Sequence, residues 1–303
     1  MSFDSALVEF EWIVPLAGCL LGVLLVSACA GDTGRVSKAE DPDAEAWVDL
    51  FDGETLNGWM PKLKGHEVGD NYASTFRAAD GIIQVRYDGY EEFGDRFGHL
   101  YYDTPFSHYR LALEYRFVGD FMPDAPEYAR LNSGVMFHSQ DPRTMPVGQD
   151  WPISVEFQFL AEVEEGQPRS TGNMCSPGTA IVYEGQLDER HCIESSADTY
   201  PKDVWVSAEL LVLGDSLVRH LIEGEPVMEY TSPQIGGGVV TGYDPAQKED
   251  GRLLAGGFIA LQSEGQEIDF RSVRLLNLEG CTDPDAHNYK RYYVASDPAT
   301  CRY

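Results

Sequence analysis

Ile153–Leu160 reads ISVEFQFL, and its alternation decides the fold class. Successive side chains of an extended chain point to opposite faces, so Val155, Phe157 and Phe159 fall on one side and Ser154, Glu156 and Gln158 on the other. The same period of two continues outward in both directions. It recurs in Gly81–Tyr87, Tyr109–Phe117 and Ser133–His138 before this stretch, and in Trp205–Leu213, Leu217–Ile222 and Phe258–Gln262 after it. These runs are rich in β-branched and aromatic residues and are separated by Gly, Asp, Asn and Pro. Glu267–Leu276 would bury Ile268 and Phe270 and then Val273 and Leu275, a change of parity that predicts a bulge near Arg271. No long amphipathic helix is legible between residues 47 and 280, and the chain has no internal repeat. Many short strands with turns between them predict an all-β sandwich or jelly roll.

The outward faces of these strands carry the first functional hints. In Ser133–His138, Val135 and Phe137 share a face, which leaves His138 beside Met136 on the other. If the two strands are neighbours, His138, Glu156 and Gln158 line one polar surface; a solvated outer face would show the same alternation. Trp59, Trp151 and Trp205 fit either a sugar platform or a sandwich core.

Composition narrows the partners. The 303 residues hold 22 Lys and Arg against 50 Asp and Glu, a net charge of −28. Affinity for nucleic acid rests on cationic groups that displace counterions, so this balance argues against nucleic acid and against an anionic membrane surface. Of six cysteines, Cys175 with Cys192 and Cys281 with Cys301 are pairs close in sequence, without the doubled C-x-x-C spacing of a zinc site. In an exported protein they predict two local disulfides.

Export is suggested by the N-terminus. Trp12–Ala28 is an uncharged apolar run, and Val26-Ser27-Ala28-Cys29 resembles a bacterial lipobox, in which Cys29 would be acylated and become the mature N-terminus. Residues 1–28 are then a lipoprotein signal peptide, with the membrane engaged only through the lipid, and residues 29–45 a disordered tether. Ala30 after Cys29 favours the outer membrane of a bacterial envelope. Residues 1–11 depart from the signal pattern, holding Asp4, Glu9 and Glu11 and no basic residue, so an uncleaved anchor or a misassigned start is the alternative.

Several segments resemble the 3-keto-disaccharide hydrolase domain family. WVDLFDGETLNGW (Trp47–Trp59) is similar to its opening, AADGIIQV (Ala78–Val85) and LYYDTPFSHYRLALEY (Leu100–Tyr115) to its early strands, and NSGVMF (Asn132–Phe137) and SVEFQFL (Ser154–Leu160) to its central pair. GFIALQSEGQEIDFRSVRL (Gly257–Leu275) resembles its ending. The likeness spans about residues 46–279. It implies a concanavalin-like jelly roll of two antiparallel sheets with the ligand on the concave sheet. Carried over by motif, the site residues are Asn132, Glu156, Gln158, Gln262 and Arg271, with Trp151 as a further substrate-binding candidate. His138 stands where many relatives have Arg, and Ser272 where Asn is usual. PRSTGNMCSPGT (Pro168–Thr179), His191-Cys192 and Lys202–Gly236 resemble a subgroup with two cysteines in its central insertion, which supports a Cys175–Cys192 bridge. Gly280–Cys301 resembles a short C-terminal module, here residues 280–303, whose Asp-rich loop is a candidate for Ca²⁺; a bridged tail without a ligand is the alternative.

The resemblance implies action on 3-keto glycosides. A C3 ketone acidifies the C2 hydrogen, so one general base can eliminate the sugar on C1, and water then adds back. Glu156 is the first candidate for base and His138 the second, with Arg271, Gln158 and Asn132 orienting the ring or stabilising the enolate. The competing expectation is a non-catalytic carbohydrate-binding module or surface adhesin. No Gly-x-Ser-x-Gly elbow, phosphate-binding loop or His-Glu-x-x-His helix is present. His191 beside a bridged cysteine reads as a surface residue.

Overall fold

The computed structural model describes residues 40–303; the expected signal peptide, Cys29 and most of the expected tether lie outside them. Two antiparallel sheets dominate. A seven-stranded front sheet runs in the order Cys192–Ile193, Asn173–Cys175, Val155–Leu160, Asn132–Ser139, Phe258–Ser263, Gly98–Tyr102, Trp59–Leu63. A ten-stranded back sheet centres on His108–Phe121, flanked by Val206–Leu213 on one side and Gln266–Asn277 on the other. Among the described residues the helical segments are all three-residue 3₁₀ turns. The predicted strands form within a few residues of their expected bounds, because alternate apolar positions can all be buried only when two sheets pack face to face. Val135, Phe137, Val155, Phe157 and Phe159 of the front sheet meet Leu111, Leu113, Tyr115 and Leu210 of the back sheet in one core. Tyr115 stacks on Phe159 across the layers with ring centroids 4.1 Å apart.

The expected bulge is present. The pairing of Gln266–Asn277 with His108–Phe121 shifts register between Arg271 and Arg274, and Ser272 takes φ +54°. A second bulge, which alternation did not reveal, sits at His138, where φ is +47° and the register with Phe258–Ser263 shifts between Phe258 and Ala260.

Both disulfides form, Cys175–Cys192 across two edge strands and Cys281–Cys301 in the C-terminal module. The module begins on a short parallel pair, Glu279–Gly280 with Ala295–Ser296. Residues 40–45, assigned to the tether by sequence, are fastened to this module. Glu40 N donates to His287 O, Lys290 Nζ to Asp41 O, and Arg291 pairs with Asp43.

Candidate functional site

Strand register gathers the polar residues of the front sheet into rows on its outer face. Lys62 pairs with His99 and His99 with Gln262; the Leu261–Val135 pairing sets Gln262 beside Gly134, which pairs with Gln158, which pairs with Asn173. The next row runs Met136, Glu156, Cys175, Cys192. Over this face lies a cavity of about 350 Å³ lined by Asn132, Trp151, Glu156, Gln158, Arg169 and Glu264, among others. Its size is that of a small-ligand site.

Two carboxyl groups dominate the floor. Glu156 is 5% exposed and Glu264 2%. Burial, with little water to solvate a charge, lifts Glu264 to about 7 and Glu156 well above the usual carboxylate range; the nearby Glu264 charge pushes Glu156 further in the same direction. Their partners differ. Glu264 Oε1 accepts from Trp151 Nε1 at 2.7 Å and from Gln262 Nε2 at 3.0 Å. Glu156 Oε1 and Glu264 Oε2 have no partner among the described residues. Burial is the largest influence on both, opposed by the Trp151 hydrogen bond at Glu264 and by Gln262 at Glu156, so each carboxyl is held above its usual range.

Surrounding groups present both donors and acceptors. Asn132 Nδ2 donates to Tyr128 O, while its Oδ1 is buried and unpartnered. Gln158 Oε1 accepts from Asn173 Nδ2 at 3.1 Å. Arg169 Nη1 is anchored on Leu131 O and Ala161 O, placing its guanidinium at the cavity wall. Behind Gln262, His99 is fully buried with neither ring nitrogen paired, and burial depresses it to about 3, so it is neutral.

The structure thus brings together Asn132, Glu156, Gln158, Gln262 and Trp151 and separates two expected residues. His138 is turned away by its left-handed bulge. Its Nε2 faces Gly214 O at 3.1 Å and its ring packs beside Phe137, inside the sandwich. Burial lowers it to about 4. Arg271 belongs to the back sheet, where it forms a bidentate pair with Glu114 at 2.8 and 2.9 Å and stacks on Trp205 with a separation of 4.1 Å. Trp205 is therefore on the back sheet too, and Trp59 is core, donating to Leu50 O.

Alternation missed Glu264, Arg169 and the rim residues Tyr128 and His191. Glu264 has a signal in hindsight: it follows Gln262 by two and so shares its face, although it sits in the turn between two strands. His191 reaches the cavity mouth because the Cys175–Cys192 bridge holds its neighbour against the row of Glu156. In the Asp-rich C-terminal loop, Asp283 accepts from Tyr303 Oη and Asp285 N, and Asp297 from Ala299 N. Among the described residues no three His, Cys, Asp or Glu side chains are grouped to hold a metal.

Fold and site together define a concanavalin-like jelly roll that carries a pair of buried carboxyls in a largely apolar cavity on one sheet. The chain belongs to the 3-keto-alpha-glucoside-1,2-lyase-like domain family, whose model matches residues 46–276. No functionally curated protein matches it. Among solved structures, a candidate glycosyl hydrolase from Parabacteroides distasonis is 17% identical with TM-score 0.47, covering 77% of this chain and 99% of its own. A Bacillus subtilis protein of unknown function with a galectin-like fold is 11% identical with TM-score 0.47, covering 79% and 98%. A carbohydrate-binding module, CBM66, from Bacillus subtilis is 10% identical with TM-score 0.42, covering 72% and 94%.

Proposed function

We propose that this chain cleaves 3-keto glycosides by elimination followed by hydration, with Glu264 as base and Glu156 as acid. The observation that carries the reading is a pair of fully buried carboxyls in one cavity, of which Glu264 Oε1 accepts two hydrogen bonds and Glu156 Oε1 none among the described residues. A ketone at C3 acidifies the C2 hydrogen and leaves the C1–O bond β to the carbonyl. Glu264 takes the C2 proton, the C1–O bond breaks, and Glu156 protonates the departing oxygen. Water then adds at C1, giving its proton to Glu156, while Glu264 returns its proton to C2, and both groups regain their starting states. Arg169 and the amides of Asn132 and Gln158 supply donors for the enolate oxygen. The role assigned to Glu156 is thereby exchanged with the sequence expectation: a buried carboxyl raised further by its neighbour's charge is a better acid than base.

The test is release of free sugar from 3-keto-lactose or 3-keto-trehalose by the detergent-purified full chain. No release, with measurable glycan binding by calorimetry, would replace the enzyme with a binding module. We further place the protein in the bacterial envelope as a lipoprotein acylated at Cys29. Labelled palmitate should enter the wild type and not Cys29→Ser; equal labelling of both would refute the anchor.

A further inference from the structure

The cavity does not end at Arg169. A second groove of about 500 Å³ opens beside it, and Leu160 and Arg169 line both. A hydrogen-bond chain connects their walls. Gln158 of the cavity accepts from Asn173 Nδ2 at 3.1 Å, and Asn173 Oδ1 accepts from Ser170 Oγ at 3.3 Å, both Asn173 and Ser170 lining the groove.

The groove is preformed. Its two banks, residues 162–170 and 194–199, are stitched together where Arg169 N donates to Thr199 Oγ1 at 2.7 Å. Ser195 N donates to Asn173 Oδ1 at 2.9 Å, and Glu162 N to Tyr200 O at 2.9 Å. Little ordering is then needed when a ligand enters, which favours binding.

Its chemistry selects a ligand class. Gln167, Ser170 and Thr199 present an amide and hydroxyls, which pair with sugar hydroxyls, over an apolar strip of Leu160, Pro168 and Ala197. Glu162, Glu194 and Asp198 make the same groove acidic, which disfavours uronic or sulfated units.

We infer that this groove is a second sugar subsite, taking the uncharged pyranosyl unit attached to the ring held over Glu156 and Glu264. The inference rests on the proposed reading for which ring sits in the cavity, while the groove's affinity for a neutral sugar can be measured separately. Arg169 stands at the junction and marks the position of the glycosidic link.

Gln167 is exposed, and its side chain makes no hydrogen bond among the described residues, so Gln167→Trp fills the groove without unfolding it. Two readouts are needed. In turnover, the variant should raise KM for 3-keto-lactose at least tenfold and leave methyl 3-keto-glucoside within twofold, since the methyl group does not reach the groove. In calorimetry with unoxidised lactose, the variant should lose at least tenfold in affinity. Equal effects on both substrates, or unchanged lactose affinity, would overturn the subsite. A wild type that turns over neither substrate but binds lactose, with loss in the variant, would remove the proposed reaction and keep the subsite. A wild type that neither binds nor cleaves would remove both.

Discussion

Glu156 lies directly over Gly134: a Cβ at Gly134 would stand 2.8 Å from Glu156 Oε1 and 2.8 Å from Phe157 O. The two residues are on neighbouring strands two positions out of register, Gly134 pairing with Gln158 and Met136 with Glu156. The missing side chain makes the hollow into which the carboxyl folds, and that burial pushes Glu156 well above the usual carboxylate range.

Gly134→Ala should therefore displace Glu156. Overpacking at a site this close costs about 1–3 kcal/mol. The fall in Tm should come with a loss in kcat/KM of at least tenfold, measured on 3-keto-lactose. An active, destabilised variant would mean that Glu156 is not positioned by this contact.

Glu264 sets the lower limb of the pH profile. With its folded value near 7, kcat/KM should rise as the pH climbs towards 7 and fall again once Glu156 ionises; Glu264→Gln should abolish turnover. Stability moves the other way. Folding raises this carboxyl from 4.5 to about 7, so the native state retains a proton that the unfolded chain has released in that window. Wild-type stability contributed by this group is complete below pH 4.5 and lost as the pH rises through 7, and Glu264→Gln should flatten that slope. Thermal melts from pH 4 to 8 check it.

The Cys175–Cys192 bridge closes a loop with a sequence separation of 17, for which chain entropy implies about 3 kcal/mol. The double Cys→Ser variant should melt several degrees lower. Because Cys175 pairs with Glu156 and Cys192 holds the cavity rim, KM should also rise. Loss of stability with unchanged KM would make the bridge purely structural.

Arg271→Ala should leave kcat/KM within twofold, since its guanidinium pairs with Glu114 on the back sheet. A half-exposed pair of this kind contributes under about 1 kcal/mol. A large activity loss would contradict the site described above.

How much of this was legible follows from what each signal depends on. Alternation in Ile153–Leu160 faithfully sorted Glu156 and Gln158 from Val155 and Phe157, and the parity change in Glu267–Leu276 located the bulge at Ser272. It failed at His138, where one left-handed residue reverses the face of the side chain, and L-residues rarely adopt that conformation. It could not separate Arg271 from the site, because a strand's sequence does not say to which sheet it belongs.

The amino-acid sequence by itself determined the strands, their buried faces, both disulfide pairs and the family, since each depends on local period, spacing or motif order. Only the tertiary structure decided that Glu264 joins Glu156, that Arg169 closes the wall, and that His138 and Arg271 stand elsewhere. The physical reason is register. Hydrogen bonds between strands far apart in the chain set which side chains become neighbours, and burial between those neighbours, rather than residue type, raises both glutamates above the usual carboxylate range.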